Sequence, residues 1–234
     1  MNLADPRAVN AGNDTASNEH AMTIEVFLDF ICPWCLIGKR NLETALRRFA
    51  QLRPDVPIQV QWRSHQLLPD TPPEGMSYQA FYLARLGSPE AIATRRAQVR
   101  AAAHAAGITL AFERIELLPN TTLAHRLLAC AIAHGTDAQQ ATLVERLFTA
   151  YFVEGRDVGN LQVLEEIGLE CGLNHEAMLV HWTDSHDGRG GDLSPLAEHG
   201  ISGVPTFVFN REFALSGAHA PHALLEALMQ SAPA

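Results

Sequence analysis

The sequence predicts an α/β fold in which one small sheet-bearing core is divided by a large all-helical insertion. Three observations predict it. The first folded residues read strand–helix–strand, a long middle stretch reads as helix, and the last residues return to strands and close on a helix.

Residues 1–21 are polar and rich in Asn, Asp and Ala, with Leu3 and Val9 as their only larger aliphatics. They lack the basic start and apolar run of a secretory signal. They are expected to form a disordered tail, and Met22 is an alternative start. The absence of a signal points to the cytoplasm. The folded part begins at Thr23. Ile24-Glu25-Val26-Phe27-Leu28 is β-branched and aromatic, which predicts a buried strand. After Cys32-Pro33-Trp34-Cys35, the apolar residues Leu36, Ile37, Leu42, Ala45, Leu46 and Phe49 recur at helical spacing and predict a helix to about Ala50. Pro54 and Pro57 break it. Ile58-Gln59-Val60-Gln61-Trp62 alternates apolar and polar, as a strand does. Parallel strands need a crossover helix, so this start reads as a βαβ unit.

From about Ser77 to Asp184 the chain is Ala- and Leu-rich and reads as helices near 77–86, 89–106, 122–134, 138–152, 160–171 and 174–183. Gly87, Gly107, Gly135, Gly155, Gly159 and Gly172 stand between them as stop signals. Gly188-Arg189-Gly190-Gly191 is a flexible return, and a short helix is expected near 193–199. Val204–Phe209 then reads as a strand, Asn210-Arg211 as a turn, and Glu212–Ser216 as the hairpin partner. A closing helix, about 220–230, carries Leu224, Leu225, Leu228 and Met229. Neither β-containing end is large enough to fold alone, so the two are expected to share one sheet. The expected domains are the tail, a sheet-bearing domain of residues 22–70 and 190–234, and a helical insertion of residues 71–189.

Lys and Arg number 17 against 26 Asp and Glu, a formal net charge of −9. That balance argues against nucleic-acid binding, which needs a basic footprint. No apolar run is long enough to span a membrane as a helix. Four cysteines in 234 residues are too few for a disulfide scaffold.

Cys32 and Cys35 sit at a predicted strand-to-helix junction. Positions i and i+3 across a first helical turn meet the Cα spacing a disulfide needs. Cys32 falls at the N-cap, where the helix dipole and unpaired N–H groups favour a thiolate. Pro33 suits the first helical position, which requires no N–H. Cys35, one turn inward, would act later as the resolving thiol. This is the division of labour of thiol–disulfide exchange. Trp34 offers a flat apolar contact to a substrate. The competing reading is half of a zinc site. A zinc ribbon wants a second close pair, whereas Cys130 and Cys171 are distant, separate and set in apolar helical patterns that suit small buried hydrophobes. His219 and His222, three apart on the last predicted helix, are weak ligand candidates.

The second signal is Gly203-Val204-Pro205-Thr206. A proline opening a strand lacks the N–H that a central ladder needs. A cis bond there would free Val204 to pair with an extended peptide, while a trans edge-strand proline is the plain alternative. Asp29 reads as a strand-end polar residue rather than a proton relay. His125 and Arg126 carry no separable signal.

Asp29-Phe30-Ile31-Cys32-Pro33-Trp34-Cys35-Leu36-Ile37-Gly38-Lys39 and Gly203-Val204-Pro205-Thr206-Phe207, with blocks at 62–69, 120–127, 147–152 and 216–218, resemble the DsbA-type thioredoxin-fold oxidoreductases, and more narrowly their FrnE-like branch. The resemblance implies a thioredoxin fold with a helical insertion, a cis Val204–Pro205 bond, and Pro205 packed near the cysteine pair. It also has a fork. Kappa-class glutathione transferases and 2-hydroxychromene-2-carboxylate isomerases share the architecture but carry serine at the first cysteine, so this chain's intact pair favours redox chemistry. Asn120 lines the cleft in that comparison, or simply caps the next helix.

The expected site is therefore Cys32 and Cys35 as catalytic residues, with Pro33, Trp34, Val204, Pro205 and Asn120 contacting substrate. No metal or organic cofactor is required, because the cysteine pair carries the two electrons. Glutathione is a candidate co-substrate. The expected partners are thiol- or disulfide-bearing proteins or small molecules, with no nucleic acid and no membrane; a homodimer is left open. The alternatives are a glutathione-dependent isomerase or transferase of small aromatic substrates, and a chaperone-like or redox-sensing binder.

Overall fold

The computed structural model describes residues 21–183 and 203–233. The tail, apart from Ala21, lies outside the described residues, and so do the glycine-rich return and the helix expected near 193–199.

Strand β1 (Met22–Leu28) leads through a turn to helix α1 (Pro33–Leu52) and on to strand β2 (Ile58–Ser64), which runs parallel to β1. From the far end of the chain, strand β5 (Thr206–Phe209) pairs antiparallel with β1, and strand β6 (Phe213–Ser216) pairs with β5. The sheet order is β2-β1-β5-β6. One sheet is thus assembled from both ends, as the sequence predicts. The period-two alternation of β1 divides its side chains. Ile24, Val26 and Leu28 join the main core with Phe207, Phe209, Leu224 and Leu228. Glu25 and Phe27 face the other side, where the buried Glu25 carboxylate accepts two hydrogen bonds from Arg63, at 2.9 and 2.7 Å. The closing helix α8 (Pro221–Ser231) packs along α1.

Between the halves lie α2 (Tyr78–Leu86), α3 (Pro89–Ala105), α4 (Thr122–His134), α5 (Asp137–Thr149), α6 (Leu161–Glu170) and α7 (His175–Thr183). Their starts follow from local chemistry. Ser77 and Ser88 accept N–H bonds at the heads of α2 and α3, Thr136 and Gln139 form a capping box for α5, and Asn160 caps α6. Two features depart from the sequence reading. The helix expected to run to residue 152 changes at Ala150 into a π-helical turn, Ala150–Glu154. Two-residue strands β3 (Met76–Ser77) and β4 (Leu117–Leu118) form a second small sheet. Among the described residues, no helix is long and apolar enough to cross a membrane.

Candidate active site

The site forms where β1 gives way to α1. Asp29 closes the turn, its carbonyl accepting the Cys32 N–H at 3.0 Å. Cys32 is the N-cap of α1 in extended geometry, Pro33 occupies the first turn, and among the described residues no side chain caps this helix end. The Cys32 sulfur therefore stands at amide groups that lack helical partners, at the positive end of the helix dipole. Across from it, the Cys32 thiol donates to the Val204 carbonyl at 3.7 Å. The Val204–Pro205 peptide bond is cis. Pro205 is buried against Gly38 of α1; a Cβ added at Gly38 would lie 3.1 Å from the Pro205 ring and 3.0 Å from the tip of Phe207.

Cys35 lies one turn deeper. Both cysteines are free thiols and buried. The Cys35 pKa is pushed well above the ordinary thiol range, mainly by burial, and further by its hydrogen bond to Cys32 and by charge on Cys32. Cys35 therefore stays protonated at neutral pH.

Beneath the pair, Asp29 is completely buried. One carboxylate oxygen accepts the Leu67 N–H at 2.7 Å, and the other lies 3.2 Å from Nε2 of His125 on α4. Phe30 packs on the His125 ring at 5.0 Å between centroids, and the buried His125 Nδ1 has no hydrogen-bond partner among the described residues. Partly buried His65 has its pKa lowered, chiefly by desolvation and also by His125, against an opposing pull from Asp29. Asp29 acts electrostatically on Cys35, and its contact with His125 sets a carboxylate and an imidazole together on the buried side of the site. A proton relay near Cys35 is the less favoured of the two sequence readings of Asp29, and His125 carries no separable signal. Their contact spans 96 positions, and only the neighbouring Asn120–Leu127 block marked one end of it.

Cys32, Pro33, Trp34 and Val204 meet on a cavity of about 300 Å³, roofed by α2 through Tyr78 and Tyr82 and by α3 through Ile92 and Val99. Pro205 supports this site from below through Gly38 rather than lining the cavity. Asn120 corrects the expectation of cleft contact. Its carboxamide accepts the Thr122 N–H at 2.9 Å and donates to the Thr71 carbonyl, which commits it to the start of α4. His219 lies ahead of α8 with its ring on the Ser216 carbonyl, and no group of three metal-ligating side chains occurs among the described residues. Burial raises the pKa of Cys130 and Cys171, consistent with inert packing thiols.

The family model of the DSBA-like thioredoxin domain matches residues 23–229. The uncharacterized protein YwbO of Bacillus subtilis (strain 168) is 25% identical over 189 residues, covering 79% of this chain and 85% of that protein. The probable DsbA oxidoreductase SCO1869 from Streptomyces coelicolor superposes with a TM-score of 0.77 at 27% identity, over 90% of this chain and 89% of that one. The cytosolic disulfide reductase DsbM from Pseudomonas aeruginosa, solved with GSH, superposes with a TM-score of 0.60 at 20% identity, over 89% of this chain and 98% of that one.

Proposed function

The chain belongs to the DSBA-like thioredoxin domain family, and from that membership we propose that it exchanges thiols and disulfides through Cys32 and Cys35. The observation that carries the reading is the N-cap thiol of Cys32, facing an open cavity, with a protonated Cys35 directly behind it. In the reducing direction, the Cys32 sulfur attacks one sulfur of a substrate disulfide. That S–S bond breaks and releases the first thiolate, leaving a mixed disulfide on Cys32. Cys35 gives its proton toward Asp29 and His125 and attacks the Cys32 sulfur. The second substrate thiolate leaves, and the protein holds a Cys32–Cys35 bond. Two electrons pass from the dithiol to the substrate. The oxidising direction is the reverse.

The CPWC and GVP blocks favour the FrnE-like branch. A cytoplasmic location is the accompanying expectation, supported by the cytosolic assignment of DsbM. Glutathione is the proposed partner thiol, since DsbM was solved with it. Trp34 and Val204 are the proposed substrate contacts.

Substitution tests the reading. Cys32→Ser is expected to abolish catalysed insulin reduction, and Cys35→Ser to accumulate mixed disulfides detectable by intact-mass spectrometry. Full activity in Cys32→Ser overturns the assignment. The roofed cavity favours one second reading, a glutathione-dependent isomerase or transferase acting on a small aromatic compound. That enzyme would turn over undiminished in Cys35→Ser.

A further inference from the structure

The walls of the Cys32 cleft carry a charge opposite to that of the chain. The formal net charge is −9, yet the cavity is lined by Arg85, Arg95 and Arg96 and, among the described residues, by no carboxylate. Arg85 stands on α2, and the other two are neighbours on α3. Other arginines find acidic partners: Arg53 with Asp55, Arg100 with Glu113, Arg146 with Glu154 and Glu170, Arg156 with Glu166. The three cleft arginines form no ion pair among the described residues.

They rest on aromatic rings instead. The Arg85 guanidinium lies 6.0 Å from the Phe81 ring, Arg95 lies 5.4 Å from the ring of Trp34, and Arg96 lies 5.2 Å from that of Tyr78. A guanidinium held by its flat face keeps its N–H edge for a planar anion. Arg96 also faces the adjoining cavity, which Glu113 and Glu116 line, so Arg85 and Arg95 are the principal contacts. Arg95 rests on Trp34, one of the two residues between the cysteines, and lines the same cavity as Cys32. A cavity of about 300 Å³ is at the lower end of the range for small-ligand sites.

The geometry points to a small carboxylate-bearing disulfide as the substrate of this cleft, its carboxylates on Arg85 and Arg95 and its sulfurs at Cys32. This inference rests on the oxidoreductase reading and names its substrate class. The chemistry is the balanced exchange given above: the dithiol supplies two electrons and two protons, and the anionic disulfide leaves as two thiols.

The test is a single turnover of the pre-reduced full chain, which needs no added reductant. Loss of protein thiols is timed with dianionic 3,3′-dithiodipropionate, neutral bis(2-hydroxyethyl) disulfide and dicationic cystamine. Each rate is divided by that of the same disulfide with free dithiothreitol, to remove intrinsic reactivity. At low salt the dianion is expected to lead the dication by about tenfold or more, and the lead to shrink as salt rises. Arg85→Gln and Arg95→Gln should each narrow that ratio by about two- to fivefold, as loss of one partly exposed ion pair does. Arg95→Lys should retain most of it. Two further arms use oxidised glutathione and an acidic disulfide-bonded peptide. Preference for the peptide over both small dianions overturns the small-substrate assignment. Equal normalised rates for dianion and dication overturn the anion preference while leaving the oxidoreductase reading intact. If no disulfide oxidises the pair, the oxidoreductase reading itself falls.

Discussion

Burial holds the Cys35 thiol in its neutral form at pH values where an unfolded chain has begun to ionise. The consequence for stability has a definite sign. Below the ordinary thiol pKa, about 8.5, Cys35 is protonated in both states and its contribution is fully present. Above that pH the unfolded chain releases the proton and the folded chain does not, so stability falls until the folded pKa is reached. The limiting slope is about 1.4 kcal/mol per pH unit. Reduced wild-type protein should therefore lose stability between pH 8.5 and about 10 more steeply than reduced Cys35→Ala. Urea midpoints across that window measure the difference, and parallel slopes would contradict the buried-thiol assignment. The comparison cancels the tyrosines and the thiols of Cys130 and Cys171, which both proteins share. The spacing of the cysteine pair was legible because its chemistry is local: four consecutive residues supply an N-cap, a proline and an inward position. The Asp29–His125 contact was not, because a carboxylate at a strand end and a histidine in a helix look ordinary until the fold closes 96 positions between them.

At the level of elements, the site depends on how closely α1 approaches the Val204–Pro205 segment, and Gly38 sets that distance. Alanine in an exposed helix is worth roughly 0.5–1 kcal/mol more than glycine. Here a Cβ would meet Phe207 at 3.0 Å and Pro205 at 3.1 Å. Both neighbours are buried, and the Pro205 ring is part of the backbone and cannot swing aside. Overpacking of this kind costs about 1–3 kcal/mol. Gly38→Ala should accordingly lower the urea midpoint and slow single-turnover oxidation, because the Val204 carbonyl is displaced from Cys32. A raised midpoint would show that the interface yields. Most elements were readable from their own residues, since a helix of nine or more carries its cap and its period with it. Strands β3 and β4 were not, because two residues have no period and exist only through each other. The π-helical turn was hidden for a related reason: Tyr151 and Phe152 continue the buried face of α5, so the apolar pattern runs unbroken while the backbone changes.

Across the whole molecule, charged contacts fix the helical block to α1. Lys39 of α1 is 3% exposed, and its ammonium donates to Glu145 of α5 at 2.8 Å and to Glu43 within its own helix. Arg40 reaches the other oxygen of Glu145. Glu145 thus ties two successive residues of the Cys32 helix to the block, across more than a hundred positions that no sequence pattern could have paired. A buried ammonium is costly unless compensated. Removing Glu145 leaves Lys39 with Glu43 alone, whereas removing the charge of Lys39 leaves no buried charge behind. The two changes should therefore differ. Glu145→Ala is expected to lose about 1.5–3 kcal/mol, the usual worth of hydrogen bonds to a charged group. Lys39→Met fills similar volume with an apolar chain and should cost less, and Lys39→Met combined with Glu145→Ala should be more stable than Glu145→Ala alone. Equilibrium urea unfolding of the three variants decides it. A double variant weaker than Glu145→Ala by the full cost of Lys39→Met would mean that the two residues act independently, and the attachment of α1 to α5 would have to rest on apolar packing instead.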